Sequence, residues 1–214
     1  MPLGWPESRS GWLGHVLDDL LLLVGRYGVA STEIGAWLFN IPRRLTAFAC
    51  AVDSEGRVLM VQHERLGVVR WELPGGHVDP GEPVAAAAER ETAEETGLAV
   101  VATQVIAEAV HRWHGNEVGI VYFRAEPVHS EHAVSRVPEP AIRAVGWLDP
   151  AVLTENSTSP LAYPVIKHFV SGSGSRPLYF DATHHKTPDG WEPVVLGRWQ
   201  NRVPCWGVVV RAAL

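Results

Sequence analysis

The sequence has few cysteines, no run of basic residues and no long apolar segment. Its 214 residues include two cysteines, Cys50 and Cys205, too few for a disulfide framework. Apolar residues flank both of them, so each is expected to be a buried thiol. Because reduced thiols are typical of the cytoplasm, the sequence predicts a cytoplasmic location.

The charge balance argues against binding to nucleic acid. The 18 Lys and Arg residues are outnumbered by 24 Asp and Glu residues, which gives a formal net charge of −6. A nucleic-acid interface needs positive charge clustered on one surface, and the sequence has no basic run. We therefore expect no nucleic-acid partner.

The leucine run at residues 20–24 is too short to span a bilayer. Asp18 and Asp19 precede it, and such charges are foreign to the apolar core of a signal peptide. We therefore expect no membrane partner. The run belongs instead to an apolar stripe at helical spacing over residues 12–27. This stripe would pack either on the rest of the chain or on a second subunit, so a homodimer is possible.

The length suits one domain with an extension at each end. We assign residues 1–43 to an N-terminal helical extension, 44–170 to the core domain and 171–214 to a linker with a C-terminal, β-rich extension. The linker is the alternating Ser and Gly segment at residues 171–175, which is typical of a flexible connector.

The core domain is predicted to begin with a hairpin. Residues 45–52 and 58–63 favour strands, and Asp53 to Gly56 between them is a turn signal. Further strands are expected at residues 99–110 and 117–125, with a polar and aromatic tip between them.

Residues 142–148 predict another strand and 160–170 a helix. The intervening segment at 126–140 has no periodicity, and a loop of that length in a compact domain is often functional.

Glu91, Glu94 and Glu95 have the i, i+3, i+4 spacing that places side chains on one face of a helix. Pro83 suits the start of this helix, and Gly97 suits its left-handed end. Three carboxylates on one turn repel each other, so positive charge is expected between them. Mg²⁺ favours sites made of a few carboxylates with water and substrate phosphate.

The segment at 76–98 resembles the Nudix box of the Nudix hydrolase superfamily. That pattern is Gly, five residues, Glu, seven residues, Arg-Glu, an apolar residue, any residue, Glu-Glu, any residue, Gly and an apolar residue. Thr92 at the first apolar position is the one departure, and its methyl group can still pack. The residues in register are Gly76, Glu82, Arg90, Glu91, Glu94, Glu95, Gly97 and Leu98.

The resemblance implies an α/β fold, an α/β/α sandwich with a mixed sheet. It also implies Mg²⁺- or Mn²⁺-dependent hydrolysis of a nucleoside diphosphate linked to another group, which makes a small-molecule diphosphate the expected partner. Either Glu94 or Glu95 would act as general base, and Arg90 would pair with Glu82. The implied metal ligands are Gly76, through its carbonyl, and Glu91, Glu94 and Glu95.

Further candidates lie outside the box. Glu139, in the long loop, could supply a base or another ligand. Arg65 could touch phosphate, and adjacent His184 and His185 are expected to be a surface pair. Residues of the predicted tip suit the non-phosphate half of the substrate, because arginine binds phosphate and tryptophan stacks; these are His111, Arg112, Trp113 and His114.

The sequence lacks the downstream substrate markers of several Nudix subgroups, so it does not choose among nucleotide sugars, other nucleoside diphosphate derivatives and a specialised-metabolite diphosphate. Two alternatives to a hydrolase stay open. One is a catalytically weak ligand-binding or regulatory protein on the same fold. The other is diphosphate isomerase chemistry, which would need Cys50 in the active site.

Overall fold

The computed structural model describes residues 44–65, 67–113, 116–128, 141–170, 176–187 and 190–199. The predicted N-terminal helical extension lies outside these residues, as do Cys205, Glu139 and His114. No helix in these ranges is both long and apolar enough to cross a membrane.

The described residues form nine strands, two α-helices and one turn of 3₁₀ helix at Pro150–Val152. The α-helices are α1 (Val84–Thr96) and α2 (Tyr163–Val170). The strands are β1 (Arg44–Ala51), β2 (Val58–Arg65), β3 (Val68–Glu72), β4 (Gly75–His77), β5 (Val100–Trp113), β6 (Asn116–Pro127), β7 (Ile142–Leu148), β8 (Leu178–Thr187) and β9 (Gly190–Trp199).

The strands divide between two sheets. The main sheet has the order β4-β1-β6-β5-β8-β9, and a smaller sheet has the order β3-β2-β7. The main sheet is mixed, because β1 runs parallel to β6 and β5 runs parallel to β8, whereas its other pairs are antiparallel.

The predicted hairpin of β1 and β2 is wrong. Within the described residues one isolated bridge joins Val52, just after β1, to Val58, and the two strands belong to different sheets. Each finds other partners: β1 pairs with β4 and β6, and β2 pairs with β3 and β7. Nonlocal pairing therefore outweighs the turn signal between them.

Helices cover both faces of the main sheet. Ala87 and Ala88 of α1 pack with Val121 on one face, and Ile166 of α2 packs with Ile120 on the other. Neighbouring residues of a strand point to opposite faces, which separates the two clusters. The mixed sheet with helices on either side confirms the expected α/β/α sandwich.

The C-terminal β-rich segment extends the main sheet. Strand β8 pairs in parallel with β5, and β9 pairs with β8 as an antiparallel hairpin. Strand β5 also continues to Trp113, so residues 111–113 belong to a paired strand and not to the polar tip that we predicted.

Candidate active site

Two glycines bring β4 against β1 and α1. A Cβ atom at Gly75 would lie 2.2 Å from the carbonyl oxygen of Ala47 and 2.6 Å from the Cα of Phe48. A Cβ atom at Gly76 would lie 2.5 Å from the carboxyl carbon of Glu91. Glycine at these positions therefore lets the backbone of β4 approach the first glutamate of the cluster.

Arg90 ties the loop before α1 to the helix. Its Nε donates to Glu82 Oε1 at 2.9 Å and its Nη2 donates to Glu82 Oε2 at 3.1 Å, so the ion pair is bidentate. Nη2 also donates to the carbonyl of His77 at 3.0 Å. Nη1 donates to Glu91 at 3.0 Å and to Glu94 at 3.1 Å. The positive charge expected among the glutamates is therefore supplied in part by this guanidinium.

The third glutamate of the cluster faces inward. Glu95 is 5% exposed, and its Oε2 accepts a hydrogen bond from the backbone nitrogen of Gly75 at 3.0 Å. Its Oε1 lies 3.2 Å from Nε2 of His63, a buried residue of β2. The side chain of Glu94, in contrast, is 59% exposed. The fixed orientation of Glu95 comes from contacts with both sheets.

The carboxylates have different electrostatic environments. Burial raises the pKa of Glu91, and the negative charges of Glu95 and Glu94 raise it further, although hydrogen bonding from Arg90 opposes them. Arg90 and the backbone of Asp79 hold the pKa of Glu82 below its usual range. Negative charge therefore accumulates around Glu91, where a cation would relieve it.

A divalent cation fits this donor set. Within the described ranges no three His, Cys, Asp or Glu side chains are arranged to hold a metal ion. Mg²⁺, however, is commonly bound by one or two carboxylates, with water and substrate phosphate completing its shell. Glu91 and Glu95 line one cleft together with Gly76, which meets this smaller requirement.

The cleft has a volume of about 620 Å³ and runs across the face of the main sheet. All six strands of that sheet contribute to its floor. Its acidic end is formed by Glu91 and Glu95, and Glu72 of β3 also lines the cleft. The floor residues include Gly76 of β4, Thr46 and Phe48 of β1, Ile120 and Tyr122 of β6, His111 of β5, His184 of β8 and Pro193 of β9.

Aromatic rings form the middle of this floor. The rings of Phe48 and Tyr122 stack with centroids 5.4 Å apart, and Tyr122 stacks on Phe180 at 6.2 Å. The hydroxyl of Tyr122 donates to the carbonyl of Leu161 at 3.1 Å, and burial raises the pKa of this phenol. The part of the floor formed by Phe48 and Tyr122 is therefore closely packed and mostly apolar.

Two histidines contact each other at the part of the floor formed by β5 and β8. His111 Nε2 lies 2.9 Å from His184 Nδ1, and the two ring centroids are 4.6 Å apart. Burial lowers the pKa of His111 to about 4, with a contribution from His184. His185 is exposed, so the predicted surface pair is wrong for His184 and holds only for its neighbour.

The other candidates are scattered. Arg65 lines the cleft with its side chain 65% exposed and contacts Glu72 at 3.3 Å. Arg112 pairs with Glu117 at 2.6 Å and with Asp181 at 3.0 Å. Because strand residues alternate in direction, Arg112 points away from the face that carries His111, and it is not among the cleft residues. The side chain of Trp113, like His114 and Glu139, lies outside the described part of the chain.

Sequence reasoning passed over Arg70 and Glu72, which line the cleft from β3. The signal was present, because alternate polar residues on a strand leading into the box share one face. Sequence reasoning also gave no role to His63. Its contact with Glu95 forms only because the smaller sheet packs near the end of the main sheet, which the sequence does not show.

Cys50 does not line the cleft. It is fully buried with the apolar residues of the main-sheet core, as expected, and burial raises its pKa to about 12. A thiol that stays protonated and enclosed is poorly suited to the catalytic role that the isomerase alternative requires.

Comparison with known proteins places this site in a family. The family model described as NUDIX domain matches residues 42–169, more than half of the chain. Phosphatase NudJ of Escherichia coli K12 is 37% identical over 65 residues, which cover 30% of this chain and 41% of NudJ. The chain thus matches less than half the length of this curated relative.

Solved structures share the fold. A NUDIX hydrolase from Nitrosomonas europaea superposes with a TM-score of 0.53 at 21% identity, over 64% of this chain and 92% of that one. The solution structure of the E. coli ORF135 protein superposes with a TM-score of 0.53 at 19% identity, over 64% of this chain and 95% of that one. Family model, fold and box residues agree, and the chain belongs to the NUDIX domain family.

Proposed function

We propose that the protein is a pyrophosphohydrolase that uses Mg²⁺ or Mn²⁺ to cleave the diphosphate of a nucleoside diphosphate linked to another group, such as a sugar. One observation carries the proposal. Glu91 and Glu95, at the family's box positions, line the same cleft as Gly76, and an apolar floor extends from them. Carboxylates for the cation that would bind a diphosphate, and an apolar surface for an organic group, therefore lie side by side.

The ion would be held by Glu91 and Glu95 with the backbone of Gly76, and Glu94 would join them by turning away from Arg90. When bound, a divalent cation neutralises phosphate charge and lowers the pKa of a coordinated water.

The remaining work falls to residues of the chain. Arg90 fixes Glu91 and the loop, while His63 and the backbone nitrogen of Gly75 fix Glu95. Charged groups that are already in position before the reaction make the largest contribution to the rate acceleration of many enzymes. Of the two glutamates expected to act as base, Glu95 is the one that lines the cleft, and we assign it the proton of the attacking water.

Arg65 is suited to a phosphate contact. Among the described residues it pairs with Glu72, at 3.3 Å and near solvent, and an exposed ion pair of this kind contributes little to stability. A phosphate group could therefore replace Glu72 as the partner of the Arg65 guanidinium at a small cost in free energy. The roles suggested for Glu139, Trp113 and His114 stay predictions.

A panel of nucleoside diphosphate sugars, dinucleotides and nucleoside triphosphates tests the proposal. Release of mononucleotide or phosphate should require Mg²⁺ or Mn²⁺ and stop with chelator. The Glu95→Gln variant should lose activity by about two orders of magnitude or more while it stays folded. The matched control is Glu89→Gln, because Glu89 lies on the same helix and its carboxylate accepts from the backbone nitrogen of Ala102, which the glutamine amide oxygen can also do.

Two results would contradict the proposal. One is full activity in Glu95→Gln. The other is binding of a nucleotide by the wild-type protein without turnover at any metal concentration, which would favour the ligand-binding alternative.

A further inference from the structure

The histidine contact joins the family domain to a strand outside it. His111 lies on β5, whereas His184 lies on β8, beyond residue 169, where the family match ends. The parallel pairing of these strands sets His111 opposite Ala182. His184, two residues further along β8, therefore emerges on the same face as His111 and lines the same cleft.

The histidines lie far from the acidic end. Strand β5 is three strands away from β4 in the main sheet. With neighbouring strands about 4.8 Å apart, His111 is removed from Gly76 by roughly 14 Å across the sheet. A diphosphate centred on Glu91 and Glu95 would not reach His111, so the histidine pair would face another part of the substrate.

The chemistry of the pair suits an uncharged polar group. A hydrogen bond between two imidazoles needs one nitrogen to donate and the other to accept. The low pKa of His111, about 4, leaves it neutral at neutral pH, so it does not attract phosphate by charge. Fixing Nε2 by contact with His184 also fixes whether Nδ1 is donor or acceptor. Val118 and Pro193 line the cleft nearby, which limits competition from water.

We propose that β8 completes the substrate site, with His184 acting as a positioning residue that orients His111 to hydrogen bond the non-phosphate half of the substrate through a hydroxyl or amide-like edge. This inference rests on the proposed function and deepens it. It adds a contribution from a segment beyond the matched domain.

Nitrogen-15 NMR of the histidine rings tests the positioning step without turnover. In the wild-type protein, His111 should show one tautomer and a titration well below the ordinary pKa of about 6.5. In His184→Leu the tautomers should mix. His184→Asn, whose amide can replace Nδ1, should restore one tautomer. The matched control is His185→Leu, since His185 is exposed on the other side of β8. An unchanged His111 spectrum in His184→Leu would overturn the inference.

Kinetics test the substrate step. On the nucleoside diphosphate substrate that the wild-type protein hydrolyses best, His184→Leu should raise KM roughly 3- to 10-fold, the loss expected for one hydrogen bond, with kcat almost unchanged. Inorganic pyrophosphate, used as a competitive inhibitor, needs only the acidic end, so its Ki should not move.

Equal increases in KM and in the Ki of pyrophosphate would show a general structural effect and overturn the inference, as would an unchanged KM. Inactivity of the wild-type protein on every probe would refute the proposed function instead. In that case nucleotide-induced shifts of the His111 signals decide the matter: their presence supports the inference and their absence overturns it.

Discussion

Replacing Gly76 with alanine should separate catalysis from folding. A methyl group at this position would lie 2.5 Å from both the carboxyl carbon and Oε2 of Glu91. Ordinary van der Waals contact begins at 3.4 Å, so the carboxylate must retreat by about 0.9 Å. Because the clash involves the end of a flexible side chain, rotation of Glu91 can relieve it without moving the backbone.

The expected loss follows from this displacement. A misplacement of about 1 Å in an active site can cost about 10²-fold in rate, which corresponds to about 2.7 kcal/mol of transition-state stabilisation. We expect kcat/KM of Gly76→Ala to fall by about that factor. Its free energy of unfolding should change by less than about 1 kcal/mol, which shifts the Tm of a chain of this size by about 2–4 °C at most. Steady-state kinetics and thermal unfolding followed by circular dichroism measure the two quantities.

Gly75→Ala is the matched comparison. Its methyl group would meet backbone atoms, 2.2 Å from the Ala47 carbonyl oxygen and 2.6 Å from the Phe48 Cα, at a φ of +150°. Strand β4 must then separate from β1, so Tm and activity should fall together. The reasoning is refuted if Gly76→Ala keeps wild-type kcat/KM, or if both variants lose the same amount of stability.

Three further changes have distinct expected results. Asp53→Ala should lower the free energy of unfolding by about 1–3 kcal/mol, because the carboxylate accepts the Arg57 backbone nitrogen at 2.8 Å and its Nε at 2.7 Å. Burial raises the pKa of Asp53, but these hydrogen bonds outweigh burial and the pKa is lowered. The stabilisation is therefore complete above the unfolded pKa of about 4 and is lost as the pH falls through the folded pKa. Urea denaturation should accordingly show the stabilities of the wild-type protein and the variant converging in acid. Arg90→Lys should reduce kcat at least about 10-fold, since an ammonium cannot reproduce its bidentate ion pair, and wild-type kinetics would contradict this. Tyr122→Phe should cost about 0.5–1.5 kcal/mol by removing the hydrogen bond to Leu161, and an unchanged urea midpoint would count against it.

The box helix could be predicted because its signals are local. Pro83 precedes the first residue of α1, and Gly97 ends it with a φ of +73°. Thr92 and Thr96 are fully buried on the side of α1 that packs against the sheet. The hydroxyl of Thr92 donates to the carbonyl of Ala88 at 2.6 Å, which satisfies the polar atom that replaces the apolar residue of the family pattern.

Strand partners could not be predicted in the same way. The turn signal at Asp53 is real, since its carboxylate accepts from the backbone nitrogen of Glu55 at 2.9 Å. A turn reverses the chain but does not decide which sheet each strand joins. That choice depends on β6 and β7, which lie far along the sequence.

Helical spacing treats the three glutamates alike, but packing does not. One side of α1 meets β4, so Glu95 turns inward to Gly75 while Glu94 remains at the surface on Arg90. A cation that recruits Glu94 must compete with that guanidinium. Arg90 orders both Glu91 and Glu94 in the structure, and the spacing of the glutamates along the helix does not reveal this.

Adjacent residues of a strand point to opposite sides, but this alternation does not say which of His184 and His185 faces the cleft. His184 faces the cleft only because β8 aligns in parallel with β5 and sets Ala182 beside His111. A shift of one residue in that pairing would bring His185 to the cleft instead. The register of a strand beyond the family domain therefore decides which side chain lines the cleft, and the box alone carries no information about it.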